Sequence, residues 1–387
     1  MAGAFSKVTQ FFSGLSSSSS GSSSSLLSKL PSILSSITSS LSGGPSTVVG
    51  LSIGSSSVKL VELKKSGKSW KLLHFGIVQL PEDAVVNREI INAIAVSESI
   101  KTLVSQISLK NKNVCTSLSG TSVIIKRMMF EVPNVKELQE QVFWEAEQYL
   151  PFDVSEVVMD YQVLSRSKDS KTDVILVAVK KTVLDNYMSC IDEAGLKAKV
   201  VDVDFFALQN LFEANYPSSE SEAVAIVDIG ASSIKVVVVH AGIPVFTKDS
   251  AMGGRNLTAE IQKHLNLSFV DAETLKVGGG GETIPQEVNE LMGVMSENFG
   301  TEIKRALDFY NASSAGAPVS NILLGGGSSK IPGLSKVVED VTGVPTQLVN
   351  PFNSISYDPA VFTQEYLENI APIAAVPIGL ALRAGAK

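Results

Sequence analysis

The sequence predicts an α/β protein of two lobes, each a mixed sheet flanked by helices, with the second lobe duplicating the first. Three observations carry that expectation. The turn IGSSSVK at residues 53–59 returns as IGASSIK at 229–235. Each copy lies inside the same run of three strand-like segments. Helical and extended patterns then alternate along the rest of the chain.

Composition sets the bounds. A chain of 387 residues, 44% apolar and 18% charged, has enough material for two lobes of the usual ~100–200 residues each. The formal charge of −7 comes without a basic block, which argues against nucleic acid as a partner. Cys115 and Cys190 are too few and too far apart for a disulfide framework or a CxxC metal site. His74, His240 and His264 are equally scattered. A multilobed cytosolic protein is the class that fits.

Residues 1–46 read as a flexible leader, because the run SSSSSGSSSS at 16–25 has nothing to bury. MAGAFSKVTQFFSGL lacks the continuous apolar core of a secretory signal. Phe5, Val8, Phe11, Phe12 and Leu15 recur at helical spacing, as do Leu26, Leu27, Leu30, Ile33, Leu34, Ile37 and Leu41. These repeats fit either short docking helices or a tail with scattered apolar residues. Serine is a poor helix former, and the cationic face of an interfacial helix is missing.

From Thr47 the elements follow in order. TVVGLSIG and SVKLVELKK are β-branched runs joined by Gly54 and Ser55–Ser57 into a hairpin, with SWKLLHFGIV as a third strand. AVAIVDIG, SSIKVVVVHAG and IPVFTKDSA repeat this opening. Between them a helix is expected from Asn134, its N-cap, to Tyr149, with Val135, Leu138, Val142, Ala146 and Tyr149 on one face. DVILVAVKK, a helix over Thr182–Ala194 closed by Gly195, and KAKVVDVD read as one strand-helix-strand unit. The stretch IAPIAAVPIGLALRAGA from Ile370 is too short for the ~20 residues of a membrane span and contains Pro372, Pro377 and Arg383. It reads as a buried C-terminal helix.

The doubled turn carries the chemistry. A tight turn of Gly and Ser gathers backbone N–H groups and hydroxyls into a concave array suited to phosphate. Two such turns, Gly54 to Lys59 with Ser55, Ser56 and Ser57, and Gly230 to Lys235 with Ser232 and Ser233, would hold one polyphosphate between two lobes. Either turn alone serves equally well as a structural connection; the repetition favours the ligand. Asp228, just before the second turn, is placed to hold Mg²⁺ beside the phosphate. The first turn has Ser52 there instead. In NILLGGGSSKIPGL, Gly325, Gly326 and Gly327 follow a buried strand and would let a flat ring lie against the backbone, or form a plain flexible loop. Glu273 and Lys276, three apart, share a helix face, which suits either a ribose contact or a surface ion pair.

Taken in this order, these segments resemble the actin-like ATPase superfamily, which includes actin, sugar kinases, chaperone ATPases and the cell-division protein FtsA. Within it the chain is most similar to the PilM family of the type IV pilus assembly platform. The segments that carry this likeness are EVPNVKELQEQVFWEAEQYLPFDVSEVVMDY (131–161), VDIGASSIKVVVV, GGRNLTAEIQKHLNLSFVDAETLK (253–276), LLGGGSSKIPGL, VNPFNSISYD and IAPIAAVPIGLALR, within residues 47–383.

The resemblance implies an actin-like fold with an FtsA-type inserted subdomain. The first lobe would take residues 47–121, completed by 205–222 and 351–387; the insert would take 122–204, and the second lobe 223–350. It implies ATP with Mg²⁺ between the lobes, with Gly253, Gly254 and Ser328 added to the nucleotide set. It also implies a partner, the N-terminal tail of a PilN-like membrane protein, in a groove bordered by SVIIKRMMFEVP (122–133) and the helix bearing Trp144, with Arg127 and Met129 on its wall. The protein would then be cytoplasmic and held at the inner membrane through that partner. Relatives usually carry Asp or Glu at the position of Ser52, so binding of ATP is expected and its hydrolysis weak or absent. No residue is identifiable as a water-activating base. An FtsA-like filament-forming ATPase and a small-molecule kinase of the same superfamily are the alternatives.

Overall fold

The computed structural model describes residues 47–67, 69–131, 135–166, 171–278, 284–313 and 316–385. The Ser-rich leader with its apolar repeats, and the expected N-cap Asn134, lie outside them.

The chain opens with an antiparallel meander of β1 (Thr47–Ile53), β2 (Ser57–Ser66) and β3 (Ser69–Gln79). A two-residue turn, Asn87–Arg88, then joins β4 (Val85–Val86) to β5 (Glu89–Ile90). Both turn residues are left-handed, φ 49° and 69°, the conformation that matches the twist of a tight hairpin. Helix α1 (Ala93–Gln106) is capped by Asn92, whose side chain accepts from the Ala95 N–H at 3.0 Å, and β6 (Asn113–Leu118) returns parallel to β1.

Next come β7 (Val123–Glu131), α2 (Val135–Ala146), β8 (Val157–Arg166) and β9 (Lys171–Lys180). They form a separate three-stranded sheet in the order β7-β9-β8, with Leu138, Val142 and Ala146 of α2 packed on Met128, Phe130, Val174 and Leu176. Helix α3 (Lys181–Glu193) ends at Gly195, φ +75°, where the Leu196 N–H reaches back to Ile191 at 3.1 Å. β10 (Lys197–Val203) pairs with β6, and α4 (Asp204–Asn215) follows.

The second meander is β11 (Ala223–Ile229), β12 (Ile234–His240) and β13 (Ile243–Ser250). After it come α5 (Gly254–Leu265), α6 (Phe269–Lys276), α7 (Gln286–Ser313), β14 (Val319–Gly325), α8 (Leu334–Thr342) and β15 (Thr346–Leu348). β16 (Ile355–Ser356), α9 (Gln364–Ile370) and α10 (Ala375–Gly385) complete the described chain.

The duplication extends beyond the turns. Reading outward from the meander, β3-β2-β1-β6-β10 in one sheet matches β13-β12-β11-β14-β15 in the other, with the same antiparallel and parallel pairings, and β16 extends the first sheet at β3. Each sheet has its own core. The first includes α1, α3, α4 and the almost wholly buried α10; the second includes α5 and α7. Leu380 and Ile378 of α10 are fully buried, worth about 1.5–3 kcal/mol each in apolar transfer. Among the described residues no single helix is long and apolar enough to cross a membrane; α9 and α10 pass only as a pair bent by 94°.

Two expectations are corrected. The range 122–204 is divided between sheets: β7 to β9 form the small sheet, whereas β10 belongs to the six-stranded one. The strand-helix-strand pattern around α3 is therefore a crossover from one sheet to another. The expected helix to Tyr149 stops at Ala146, leaving Tyr149 exposed beyond it.

Candidate functional site

The two Gly-Ser turns fold alike and meet. Gly54 N–H donates to Ser57 O at 3.0 Å, and Gly230 N–H donates to Ser233 O at 2.9 Å, closing two equivalent four-residue loops. At their tips Ser55 Oγ lies 2.5 Å from Ser232 Oγ, and Arg255 at the start of α5 donates from Nη2 to Ser55 O at 2.7 Å. Both turn glycines look onto cations. A methyl group placed on Gly54 would lie 3.9 Å from Lys59 Nζ, and one on Gly230 would lie 3.6 Å from Arg88 Nη2.

A buried charge network lies beneath the second turn. Lys235, only 2% exposed, donates to Asp228 Oδ2 at 2.9 Å and pairs with Asp204 Oδ2 at 3.1 Å. Asp204 sits at the first position of α4 and also accepts from Ser117 Oγ at 2.5 Å. Burial pushes the Asp204 carboxyl up, but Lys235, Arg88 and Ser117 together outweigh it and hold the group below the usual carboxylate range. For Lys235, burial and Arg88 oppose its charge; Asp228, Asp204 and Asp249 overcome them and raise it. Asp249 faces Lys235 across β12 and β13, and burial holds its carboxyl above the ordinary value.

Arg88 crosses from the first meander's side to the second turn. Its Nη2 donates to Ser233 Oγ, its Nη1 is 3.9 Å from Asp204, and its backbone carbonyl accepts from Tyr187 Oη at 3.1 Å. These contacts hold a bulky side chain in a left-handed turn, which costs of order 1 kcal/mol. Lys59 is different. Its half-buried ammonium is pushed down to about 8, burial outweighing the attraction of Asp228.

The remaining expected nucleotide residues gather around the second turn. Gly254 N–H donates to Gly230 O at 2.9 Å, Arg255 N–H to Ala231 O at 2.7 Å, and Ser328 Oγ to Gly230 O at 3.0 Å. Gly253 must be glycine, since a Cβ would stand 2.7 Å from the Ala231 carbonyl. Lys276 Nζ bonds Glu273 Oε2 at 2.6 Å, Thr258 Oγ1 at 2.9 Å and Gly254 O at 3.3 Å, so this pair ties α6 to the start of α5. The glycine run behaves unevenly. Gly325 packs against Val349, and Gly326, at φ +86°, lies against the Ile229 backbone; Gly327 has more room, with Ile373 Cγ2 at 4.0 Å from its methyl position. Asp228, expected to face Mg²⁺, is taken by Lys235.

The expected partner residues do not form one wall. Met128 and Phe130 point toward α2, so Arg127 and Met129 lie on the opposite face of β7, while Trp144 is exposed on α2. Arg127 is also engaged, donating to Asp173 from Nε at 2.9 and 3.1 Å and from Nη2 at 2.6 Å. Sequence reasoning passed over Arg88, Asp204, Ser117, Asp249, Thr258 and Arg255. Arg255 and Thr258 lie within the segment 253–276, Asp249 lies within IPVFTKDSA and Asp204 closes KAKVVDVD, but none of these patterns marks them as site residues.

The fold is shared with known proteins. A PilM–PilN type IV pilus biogenesis complex has a chain 29% identical to this one, with a TM-score of 0.77, covering 87% of this chain and 98% of that one. Ethanolamine utilization protein EutJ from Carboxydothermus hydrogenoformans shares the fold at 15% identity and a TM-score of 0.54, covering 88% and 90%. Cell division protein FtsA of Bacillus subtilis (strain 168) is 22% identical over 351 residues, 78% of each chain. FtsA of Enterococcus hirae is 24% identical over 227 residues, so the chain spans about half the length of that relative, 50%, with 51% of its own. The family described as type IV pilus assembly protein PilM matches residues 50–385. The doubled meander, the facing turns and this match over both lobes establish that the chain belongs to the PilM family of type IV pilus assembly proteins, with the fold of actin-like ATPases.

Proposed function

We propose that the chain is a nucleotide-binding connector of the type IV pilus inner-membrane assembly platform, cytoplasmic and held at the membrane by the N-terminal tail of a PilN-like protein. One observation carries the nucleotide half: the two Gly-Ser turns meet tip to tip, Ser55 Oγ to Ser232 Oγ at 2.5 Å, with Lys59 and Arg88 beside their glycines. An anion entering there would replace that hydroxyl contact with its own oxygens. ATP is the proposed occupant, with the base placed beside Gly327 and Ile373 and with Lys276 beside Gly254. Hydrolysis is slow in this reading, because the first turn offers Ser52 where the second has Asp228, and positioning of charge is most of what a protein supplies to phosphoryl transfer.

The partner half is supported by the solved complex of a PilM with PilN and by an open strand edge. β7 is an outer strand of the small sheet, and Met129 on it is 67% exposed. An extended tail would add to that edge through main-chain hydrogen bonds, with Met129 offering the apolar contact. In this reading the inserted subdomain is β7 to β9 with α2. The lobes are 47–121 with α3, β10, α4 and the C-terminal segment from 351, and 223–350.

The test has two arms. Saturating ATP should raise the melting temperature by mass action, and a synthetic PilN-like N-terminal tail should bind with or without ATP. ATP-dependent polymerisation without tail binding would favour the FtsA-like filament instead.

A further inference from the structure

We infer that this site takes its polyphosphate without a divalent metal ion, with Lys59 and Arg88 supplying the countercharge; the inference rests on the nucleotide reading above. A metal beside a phosphate needs carboxylate oxygens free to face it, directly or through water. Here the space between Asp228 and Asp204 is filled by Lys235 Nζ, at 2.9 and 3.1 Å, so a fixed ammonium already occupies the place of a bridging cation. The first turn brings no acid, since Ser52 stands at the register position equivalent to Asp228. Among the described residues no group of three or more His, Cys, Asp or Glu side chains is arranged to hold a metal.

The cations are arranged differently. Lys59 Nζ stands 3.9 Å from the methyl position of Gly54, and Arg88 Nη2 stands 3.6 Å from that of Gly230, while Arg255 Nη2 is already engaged at 2.7 Å by Ser55 O. Arg88 Nε is buried and lacks a hydrogen-bond partner among the described residues, although Arg88 is only 7% exposed. A buried donor left unsatisfied is costly, and an entering phosphate oxygen would satisfy it. Charge-assisted hydrogen bonds from Lys and Arg to phosphate are among the strong ones. A site built this way gains nothing essential from magnesium, which would have to share the phosphate oxygens with two fixed cations.

The test is calorimetric titration of ATP into the full chain, once in excess EDTA and once in excess magnesium. Affinities within about threefold of each other are expected. Binding in magnesium with a more than about tenfold loss in EDTA overturns the inference and leaves the nucleotide reading standing. Binding in neither buffer overturns both. A second arm uses Lys59→Gln, which should lower affinity in EDTA by about tenfold or more while adenosine, lacking phosphate, binds as to the parent. Equal loss for adenosine would assign Lys59 a structural role and overturn its part in the inference.

Discussion

Ser52 and Lys59 face each other across β1 and β2 at the register position that Asp228 and Lys235 occupy across β11 and β12. In the second pair the acid holds the lysine at 2.9 Å. In the first, serine leaves the ammonium without a carboxylate opposite, and burial pushes Lys59 down to about 8. One strand pair therefore neutralises itself, and among the described residues the other leaves its lysine without a paired carboxylate across the strands. The two meanders thus offer equivalent positions that carry an acid in one and a serine in the other.

The charge of Lys59 should be visible in pH titrations. Its folded value of about 8 lies below its ordinary 10.5, so the folded state binds fewer protons between those two values and nucleotide-free stability should rise through that window. Below about pH 8 both states carry the proton and the cost of burying it is present in full. Asp228 and Asp204 favour the charge, whereas Lys235 and Arg88 oppose it. ATP affinity should move the other way and fall as pH climbs past that value. Urea melts with and without ATP across the range would check both, and Lys59→Met should flatten both slopes. A wild-type affinity independent of pH up to 10 would remove Lys59 from the phosphate site.

Gly230→Val should abolish stabilisation by ATP. A side chain there would enter the space 3.4 Å from Ser233 O and 3.6 Å from Arg88 Nη2, where the phosphate is proposed to sit. At a ligand concentration of 100 Kd the wild type gains about 2.7 kcal/mol, easily read as a melting shift. An unchanged shift in the variant would place the nucleotide elsewhere.

The sequence disclosed what is local and hid what is distant. The meanders were readable because β-branched runs around a Gly-Ser turn specify strand and turn within a few residues, and the same words occur twice. The network under the second turn was not, since Arg88 meets Ser233 across 145 positions and its own stretch, a two-residue turn, has no chemical signature. Strand β10 misled for a related reason. It follows α3 as any strand-helix-strand unit would, and only pairing with β6 shows which sheet receives it. Nor did the glycine run disclose that Gly326 is required by the close approach of the Ile229 backbone.

On the small sheet, two substitutions should separate stability from recruitment. Arg127→Glu would place a carboxylate beside the buried Asp173 and remove a bidentate pair, so it should cost about 2 kcal/mol and lower the melting temperature. Met129→Asp alters an exposed side chain, leaves that pair intact and should be close to neutral for folding. Binding of a PilN-like tail should nevertheless weaken at least about tenfold in Met129→Asp, with the ATP shift intact. Full tail binding in that variant would move the docking surface away from β7.

Ser52→Asp tests the missing acid directly. The new carboxylate would stand opposite Lys59 as Asp228 stands opposite Lys235, and the pair should close in the same way. Neutralising Lys59 removes one of two countercharges at the turns, so ATP affinity in EDTA should fall about tenfold, equivalent to about 1.4 kcal/mol. Since that carboxylate would be held by Lys59 as Asp228 is held by Lys235, magnesium should still change the affinity little, within about threefold. Both outcomes are read in one pair of calorimetric titrations on the variant. If Ser52→Asp bound ATP more tightly in EDTA than the parent chain does, Lys59 would have no share in holding the phosphate.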